Sequence, residues 1–203
     1  MLNLRLRPVI GQLVDPVASV LLRLKVHPDT VTVTGTVGVL VGSLAFFSRG
    51  MFFAGTVIVV FSVLTDLLDG AMARKLGTTG RFGAWLDSTC DRVADAAIFC
   101  GLVLWFTGGG QDRLLAGVAL FCLVAGGIVS YAKARAEGLG LTCDVGLAER
   151  AERLILVLLA TLLAGLGVEV ALPIGLWLLA VVSAVTVVQR LVEVRRQAAR
   201  ASQ

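Results

Sequence analysis

Six long apolar runs, at about 30–48, 52–74, 82–106, 114–135, 150–167 and 171–190, leave this chain few folds to choose from. Each is near the length of ~20 residues that a helix needs to cross a hydrocarbon core. The breaks between them are short: Ser48-Arg49-Gly50, Leu76 to Gly80, Thr107 to Asp112, Glu137 to Gly146, and Gly167 to Glu169. No long soluble domain fits among them. Only 16% of the 203 residues are charged, where a soluble domain carries roughly 25%. Too few polar groups remain to cover a water-facing surface, so lipid is the expected solvent. The predicted fold is all-α and integral to the membrane. Six transmembrane helices, within residues 27–203, follow an amphipathic interfacial helix over residues 1–26.

In that first segment Leu13, Val14, Val17, Val20, Leu21 and Leu24 recur at helical spacing, with Arg23 and Lys25 beside them. This pattern suits a helix lying on a membrane surface. Asp15-Pro16 interrupts the apolar stretch and no small-residue cleavage pattern follows, which argues against a signal peptide. Basic residues set the orientation. Arg5, Arg7, Arg23, Lys25, Arg74, Lys75, Arg81, Lys133, Arg135, Arg150, Arg153, Arg190, Arg195, Arg196 and Arg200 gather on one side. Only Arg49 and Arg113 fall in loops on the other, with Arg92 inside the third run. The basic side is therefore expected in the cytoplasm, together with both termini, in a multi-pass cell-membrane protein. The net charge of +4 sits between apolar runs, where it orients the chain and meets anionic head groups rather than nucleic acid. Cys90, Cys100, Cys122 and Cys143 show no CxxC spacing and read as small apolar thiols. His27, just before the first run, reads as an interfacial residue rather than a metal ligand.

Four aspartates stand where lipid-facing helices should have none. Asp66, Asp69, Gly70 and Ala73 share one face at the end of the second helix, and Gly83, Asp87 and Asp91 share one face of the third. A short turn joins the two helices, which are expected to be antiparallel neighbours with both carboxylate pairs near the cytoplasmic surface. Each charge at bilayer depth costs about 3 kcal/mol on insertion scales. Four carboxylates together would repel one another unless cations lay among them. Oxygen ligands favour Mg²⁺, Mn²⁺ or Ca²⁺ over zinc, and four negative charges match two divalent ions. Such a pair can clamp a diphosphate during phosphoryl transfer. Gly70, Ala73 and Gly83 leave room for close approach, and Arg74 lies where a guanidinium could meet a phosphate. Asp95 continues the stripe as a pocket-lining residue.

The pattern Asp66-x2-Asp69-Gly70-x2-Ala73-Arg74-x8-Gly83-x3-Asp87-x3-Asp91 resembles the signature of the CDP-alcohol phosphotransferases at all eight fixed identities. The resemblance implies that an alcohol attacks the lipid-bearing phosphorus of CDP-diacylglycerol and that CMP leaves. Asp66, Asp69, Asp87 and Asp91 would hold two divalent ions, Mg²⁺ or Mn²⁺ in its place, and Asp91 would act as general base. Gly70, Arg74 and Gly80 would face the nucleotide and diphosphate. The segment His27-Pro28-Asp29-Thr30-Val31-Thr32 resembles the family's entry to the first spanning helix, so Asp29, Thr30, Val31 and Thr32 would help hold the cytidine. Pro-Asp-Thr is also an ordinary helix start with polar caps. The family further implies a homodimer.

The shared signature does not name the acceptor. Lys133, Arg135, Arg153 and Arg190 would form a cationic basin if the helices converge, suited to a phosphorylated alcohol and hostile to choline. The stretches 130–140 and 83–92 resemble those of actinobacterial phosphatidylinositol phosphate synthases, a branch of the family, and imply myo-inositol phosphate as acceptor. Glycerol phosphate, as in a phosphatidylglycerophosphate synthase, is the nearest alternative. A divalent-cation transporter is the non-enzyme alternative, disfavoured because the acidic motif has no second copy and lies at one end of the bundle. A purely structural scaffold would leave the cost of four buried aspartates unexplained.

Overall fold

The computed structural model describes residues 14–77 and 80–201. All regular structure among them is helical. Helix α1 covers residues 14–23; α2, Pro28–Val41, continues through a π turn (Gly42–Phe46) and a 3₁₀ turn (Phe47–Arg49). Then come α3 (Phe52–Leu76), α4 (Arg81–Thr107), α5 (Arg113–Glu137), α6 (Arg150–Gly165) and α7 (Ala171–Ala201). Local chemistry sets their ends. Pro28 occupies the first turn of α2, and the His27 side chain accepts from the Asp29 N–H at 3.4 Å. Asp112 caps α5 by accepting from the Leu115 N–H at 2.9 Å. Gly77, at φ 63°, closes α3 in the left-handed conformation that glycine adopts without penalty.

Four helical stretches are long and apolar enough to cross a membrane: Pro28–Arg49, Phe52–Leu76, Arg113–Glu137 and Ala171–Arg200. The other two helices differ for identifiable reasons. Helix α4 is long enough but carries Arg81, Asp87, Asp91, Arg92 and Asp95 in its first half. Helix α6 has only 16 residues, roughly 24 Å at the standard rise. At the other extreme α7 runs through Ala201, well past the expected end at 190, and Gln197 in its added turns bonds Thr142 of the loop between α5 and α6.

The start of the chain fits a helix with two apolar faces rather than one. Ala18 is buried against Ala71 and Met72 of α3, with Val14, Leu21 and Val26 around them, whereas Val17, Val20 and Leu24 point outward. The Lys75 ammonium donates to the Asp15 carbonyl and the Ser19 hydroxyl, each at 2.7 Å, and ties α1 to the end of α3. Leu13, Arg5 and Arg7 lie outside the described residues.

One expectation is overturned. Helices α3 and α4, joined by a short turn, do not pack closely on each other; both pack on α2, which lies between them. The reason is the small-residue face of α2. A Cβ on Gly35 would stand 2.1 Å from Thr65 Oγ1, one on Gly38 2.2 Å from Ser62 Oγ, and one on Gly42 2.9 Å from Val59. On the α4 side, a Cβ on Gly101 would stand 2.4 Å from the Ser43 carbonyl. Backbones this close gain dispersion contact along their whole length. The remaining helices close the bundle, α6 against α3, α5 against α4, and α7 against both α5 and α6. Between α3 and α6, Thr56 and Thr161 share a buried hydroxyl contact at 2.7 Å.

Gly101→Val is expected to lower stability by about 1–3 kcal/mol, because the α2 backbone cannot yield as a flexible side chain could. Gly117→Ala, with nothing within 4 Å of its Cβ, should be neutral or slightly stabilising. Equilibrium unfolding of both variants in detergent checks the contrast.

Candidate active site

The turn between α3 and α4 places their acidic residues at matched depths. Asp66 lies ten residues before the end of α3 and Asp91 ten residues after the start of α4, roughly 15 Å from that turn in each case. Asp69 and Asp87 form a second pair nearer the surface. These carboxylates feel one another's charge: Asp66 interacts with Asp69 and Asp87, and Asp91 with Asp66, Asp87 and Asp95. Asp69 is the most enclosed, at 7% exposure. The buried Thr32 hydroxyl of α2 donates a short hydrogen bond to Asp69 Oδ2. Asp87 is exposed.

Because α2 holds α3 and α4 apart, their carboxylates face each other across a gap, and α6 reaches into it. Arg150, the first residue of α6, pairs its Nη2 with Asp91 Oδ1 at 2.8 Å and donates from Nε to Asp95 Oδ1 at 3.3 Å. Its Nη1 is 4.0 Å from Asp66 Oδ2. Arg153 Nη2 lies 3.7 Å from Asp95 Oδ2, and Arg92 Nη1 lies 3.4 Å from the same oxygen. Arg92 also donates to the Ser130 hydroxyl. Among the described residues, no three His, Cys, Asp or Glu side chains are disposed to hold a metal ion as they stand. The chemistry of the donor set nevertheless fits a hard divalent cation. It offers carboxylate oxygens from two helices, with Thr32 orienting Asp69, and no competing imidazole or thiolate.

Beside the aspartates opens a cleft of about 710 Å³ between α4, α5, α6 and α7. Asp91, Asp95, Arg92, Lys133, Arg150, Arg153 and Arg190 line it, as do Trp85 and Tyr131. Arg153 is 6% exposed, and its Nη1 is buried without a hydrogen-bond partner. A Cβ on Gly126 would come within 2.9 Å of that nitrogen, so glycine here leaves the guanidinium its place. Arg190 is 3% exposed and donates to the Val145 and Val129 carbonyls, with Glu149 at 3.9 Å. Lys133 meets Asp144 at 2.5 Å. That ammonium holds the Asp144 carboxyl below its usual range. A smaller space of about 10 Å³ lies between α2, α3, α4 and Arg150, lined by Thr32, Asp66 and Asp91 among others.

The structure therefore brings together Asp66, Asp69, Asp87 and Asp91, and separately Lys133, Arg153 and Arg190. Arg135 is exposed and not among the cleft-lining residues. Near the α2 start, Asp29 Oδ1 faces Gly83, where a Cβ would stand 3.7 Å away. Val31 packs against the cluster formed by α1 and α3, and Thr30 is exposed. Gly70 lies against Arg74, whose Nη1 would be 3.4 Å from a Cβ there, and Gly80 caps α4. Arg150 and Arg92 were not legible as site residues from composition. The signal for Arg150 was its place three residues before Arg153 at the start of α6, and for Arg92 its place between Asp91 and Asp95 inside an apolar run.

Residues 25–189 match the model of the CDP-alcohol phosphatidyltransferase family. The chain is 52% identical to the phosphatidylinositol phosphate synthase of Streptomyces avermitilis, over 99% of this chain and 85% of that protein. It is 48% identical to the phosphatidylinositol phosphate synthase of Mycobacterium tuberculosis, over 91% and 87%. The crystal structure of the M. tuberculosis protein with CDP-DAG bound superposes with a TM-score of 0.87, covering 90% of this chain and 94% of that one. Another, in complex with manganese and citrate, gives 0.85 at 49% identity and covers 88% and 87%.

Thr32→Val should leave the buried Asp69 carboxylate one donor short and lower stability by about 1–2 kcal/mol. Thr32→Ser should restore most of that loss. Thermal unfolding of the two variants in the same detergent distinguishes a lost hydrogen bond from lost packing.

Proposed function

The chain belongs to the CDP-alcohol phosphatidyltransferase family, and from that premise we propose that it transfers the phosphatidyl group of CDP-diacylglycerol to myo-inositol phosphate, giving phosphatidylinositol phosphate and CMP. The observation that carries the reading is the position of Asp91. Of the four motif carboxylates it alone lines both the small space beside Asp66 and the large cationic cleft. A base there stands between the metal-ligand cluster and the acceptor.

In this reading Asp66, Asp69, Asp87 and Asp91 hold two divalent ions, Mg²⁺ or Mn²⁺. Those ions, when bound, offset charge on the diphosphate and make CMP a better leaving group. Asp91 takes the proton from the attacking acceptor hydroxyl as the new P–O bond forms and the bond to CMP breaks. Asp29, Thr30, Val31, Thr32, Gly70, Arg74 and Gly80 form the donor side. Asp29 of α2 faces Gly83 of α4, and Arg74 offers a guanidinium at the end of α3. On the acceptor side Arg153, Arg190 and Lys133 receive the phosphate. The unpartnered Arg153 Nη1, buried beside Gly126, supports this most directly, since a buried guanidinium nitrogen without an acceptor is costly. Arg135 belongs to the cytoplasmic surface near that cleft.

The finer architecture belongs to the same proposal. Residues 27–203 form one six-span domain preceded by the interfacial helix of residues 1–26, with the active site at the cytoplasmic face of the cell membrane. Helix α4 crosses with Asp91, Arg92 and Asp95 turned to the cleft and its apolar half, from Ala96 onward, packed into the bundle core through Ala97, Ile98, Leu102 and Phe106. Helix α6 crosses where the neighbouring α3 and α7 shelter its short span. The homodimer completes the proposal, and light scattering of the detergent-solubilised protein tests it.

Asp91→Asn is expected to reduce CMP release by about two to four orders of magnitude while the protein stays folded, since a carboxamide cannot accept the proton. Near-normal turnover would remove Asp91 from the base position. Offered inositol phosphate and glycerol phosphate in parallel with CDP-diacylglycerol, the wild-type protein should use the first. Preference for glycerol phosphate would replace the acceptor and leave the family reaction intact.

A further inference from the structure

Arg150 stands against the oxygens that an ion shared by Asp66 and Asp91 would need. Its Nη2 forms an ion pair with Asp91 Oδ1 at 2.8 Å, and its Nη1 stands 4.0 Å from Asp66 Oδ2. A magnesium ion binds carboxylate oxygen at about 2.0–2.1 Å, well inside the guanidinium contact. Two cations cannot sit on one carboxylate oxygen without strong mutual repulsion. We propose that Arg150 and a divalent ion compete for the same carboxylates, and that ion entry displaces the guanidinium from Asp66 and Asp91 into the acceptor cleft. This rests on the metal assignment made above.

The neighbouring arginines are held differently. Arg153 has a side chain only 7% exposed and is packed against Gly126. Arg92 is fastened to the Ser130 hydroxyl on α5. Arg150 has a side chain 25% exposed, stands at the first position of α6, and lines both the small space and the large cleft. A rotation about its own side-chain bonds carries it from one to the other. Displaced, it would add a positive charge to the wall that already holds Lys133, Arg153 and Arg190. Metal loading would then strengthen the site for a phosphorylated acceptor, and the carboxylates would remain neutralised at every stage.

Two measurements test this on the full-length protein without turnover. Manganese binding is followed by the electron paramagnetic resonance of free Mn²⁺, in wild type, Arg150→Gln and Arg153→Gln. Arg150→Gln should bind Mn²⁺ roughly tenfold more tightly than wild type, the scale of one partly buried charge pair. Arg153→Gln removes the same charge from the next turn and should change affinity much less. Equal tightening in both variants would reduce the effect to general repulsion and overturn the displacement. Unchanged or weaker binding in Arg150→Gln would also overturn it. Binding to none of the three proteins would overturn the metal assignment itself. The second measurement uses wild type alone, with phenylglyoxal labelling read by peptide mass mapping. Labelling of Arg150 should rise several-fold on adding Mn²⁺, and a constant or falling level would contradict the displacement.

Discussion

Carboxylates set far inside apolar helices are tolerable only where other charges meet them, and that requirement organises this protein. Asp66, Asp91 and Asp95 lie at a depth where an unpaired charge costs several kcal/mol. Arg92, Arg150 and Arg153 supply opposing charges from α4 and α6, so that Asp91 and Asp95 each have at least one guanidinium within 4.0 Å. A network of this kind does little for stability compared with an apolar core of the same volume. Its value lies in what it can exchange, because a hard cation can replace a guanidinium among carboxylate oxygens. Asp69 is held by the Thr32 hydroxyl instead of by a guanidinium.

The gap those charges occupy is made by glycine. If α3 and α4 packed directly, their acidic faces would meet without room for a ligand. Helix α2 stands between them because Gly35, Gly38 and Gly42 let it approach α3, and Gly101 lets α4 approach the π turn after α2. The π turn at Gly42–Phe46 shifts the helix register at this contact, a feature often found near functional sites. Packing along α2, from Gly35 beside the aspartates to Gly42 farther away, thus sets the width of the site.

Much of this was legible in the sequence, and the parts that were not share a physical cause. The six apolar runs, the helix start at Pro28 and the faces carrying Asp66, Asp69, Asp87 and Asp91 follow from local periodicity, which does not depend on the neighbours of a helix. The wedge position of α2 depends on which of several small-residue faces finds a partner, and chain order pointed instead to direct contact of α3 with α4. Arg150 and Arg135 illustrate the same limit. Both are arginines near the ends of apolar runs, counted alike toward orientation. One reaches from α6 to Asp91 of α4, and the other is exposed on α5. Sequence places a residue along its helix; the cleft is a property of four helices together. The length of α7 was also missed, since Glu193, Arg195 and Arg196 end the apolar run without ending the helix.

The central claim is that carboxylates from α3 and α4 share hard cations across the gap that α2 maintains. Anomalous X-ray diffraction from crystals grown with Mn²⁺ tests it most directly, because it locates the metal without assuming its ligands. The account predicts two peaks about 3.5–4 Å apart, within bonding distance of Asp66, Asp69, Asp87 and Asp91, with the Arg150 guanidinium no longer touching Asp91. Peaks elsewhere on the protein, or none beside these four residues in crystals that hold manganese, would contradict it.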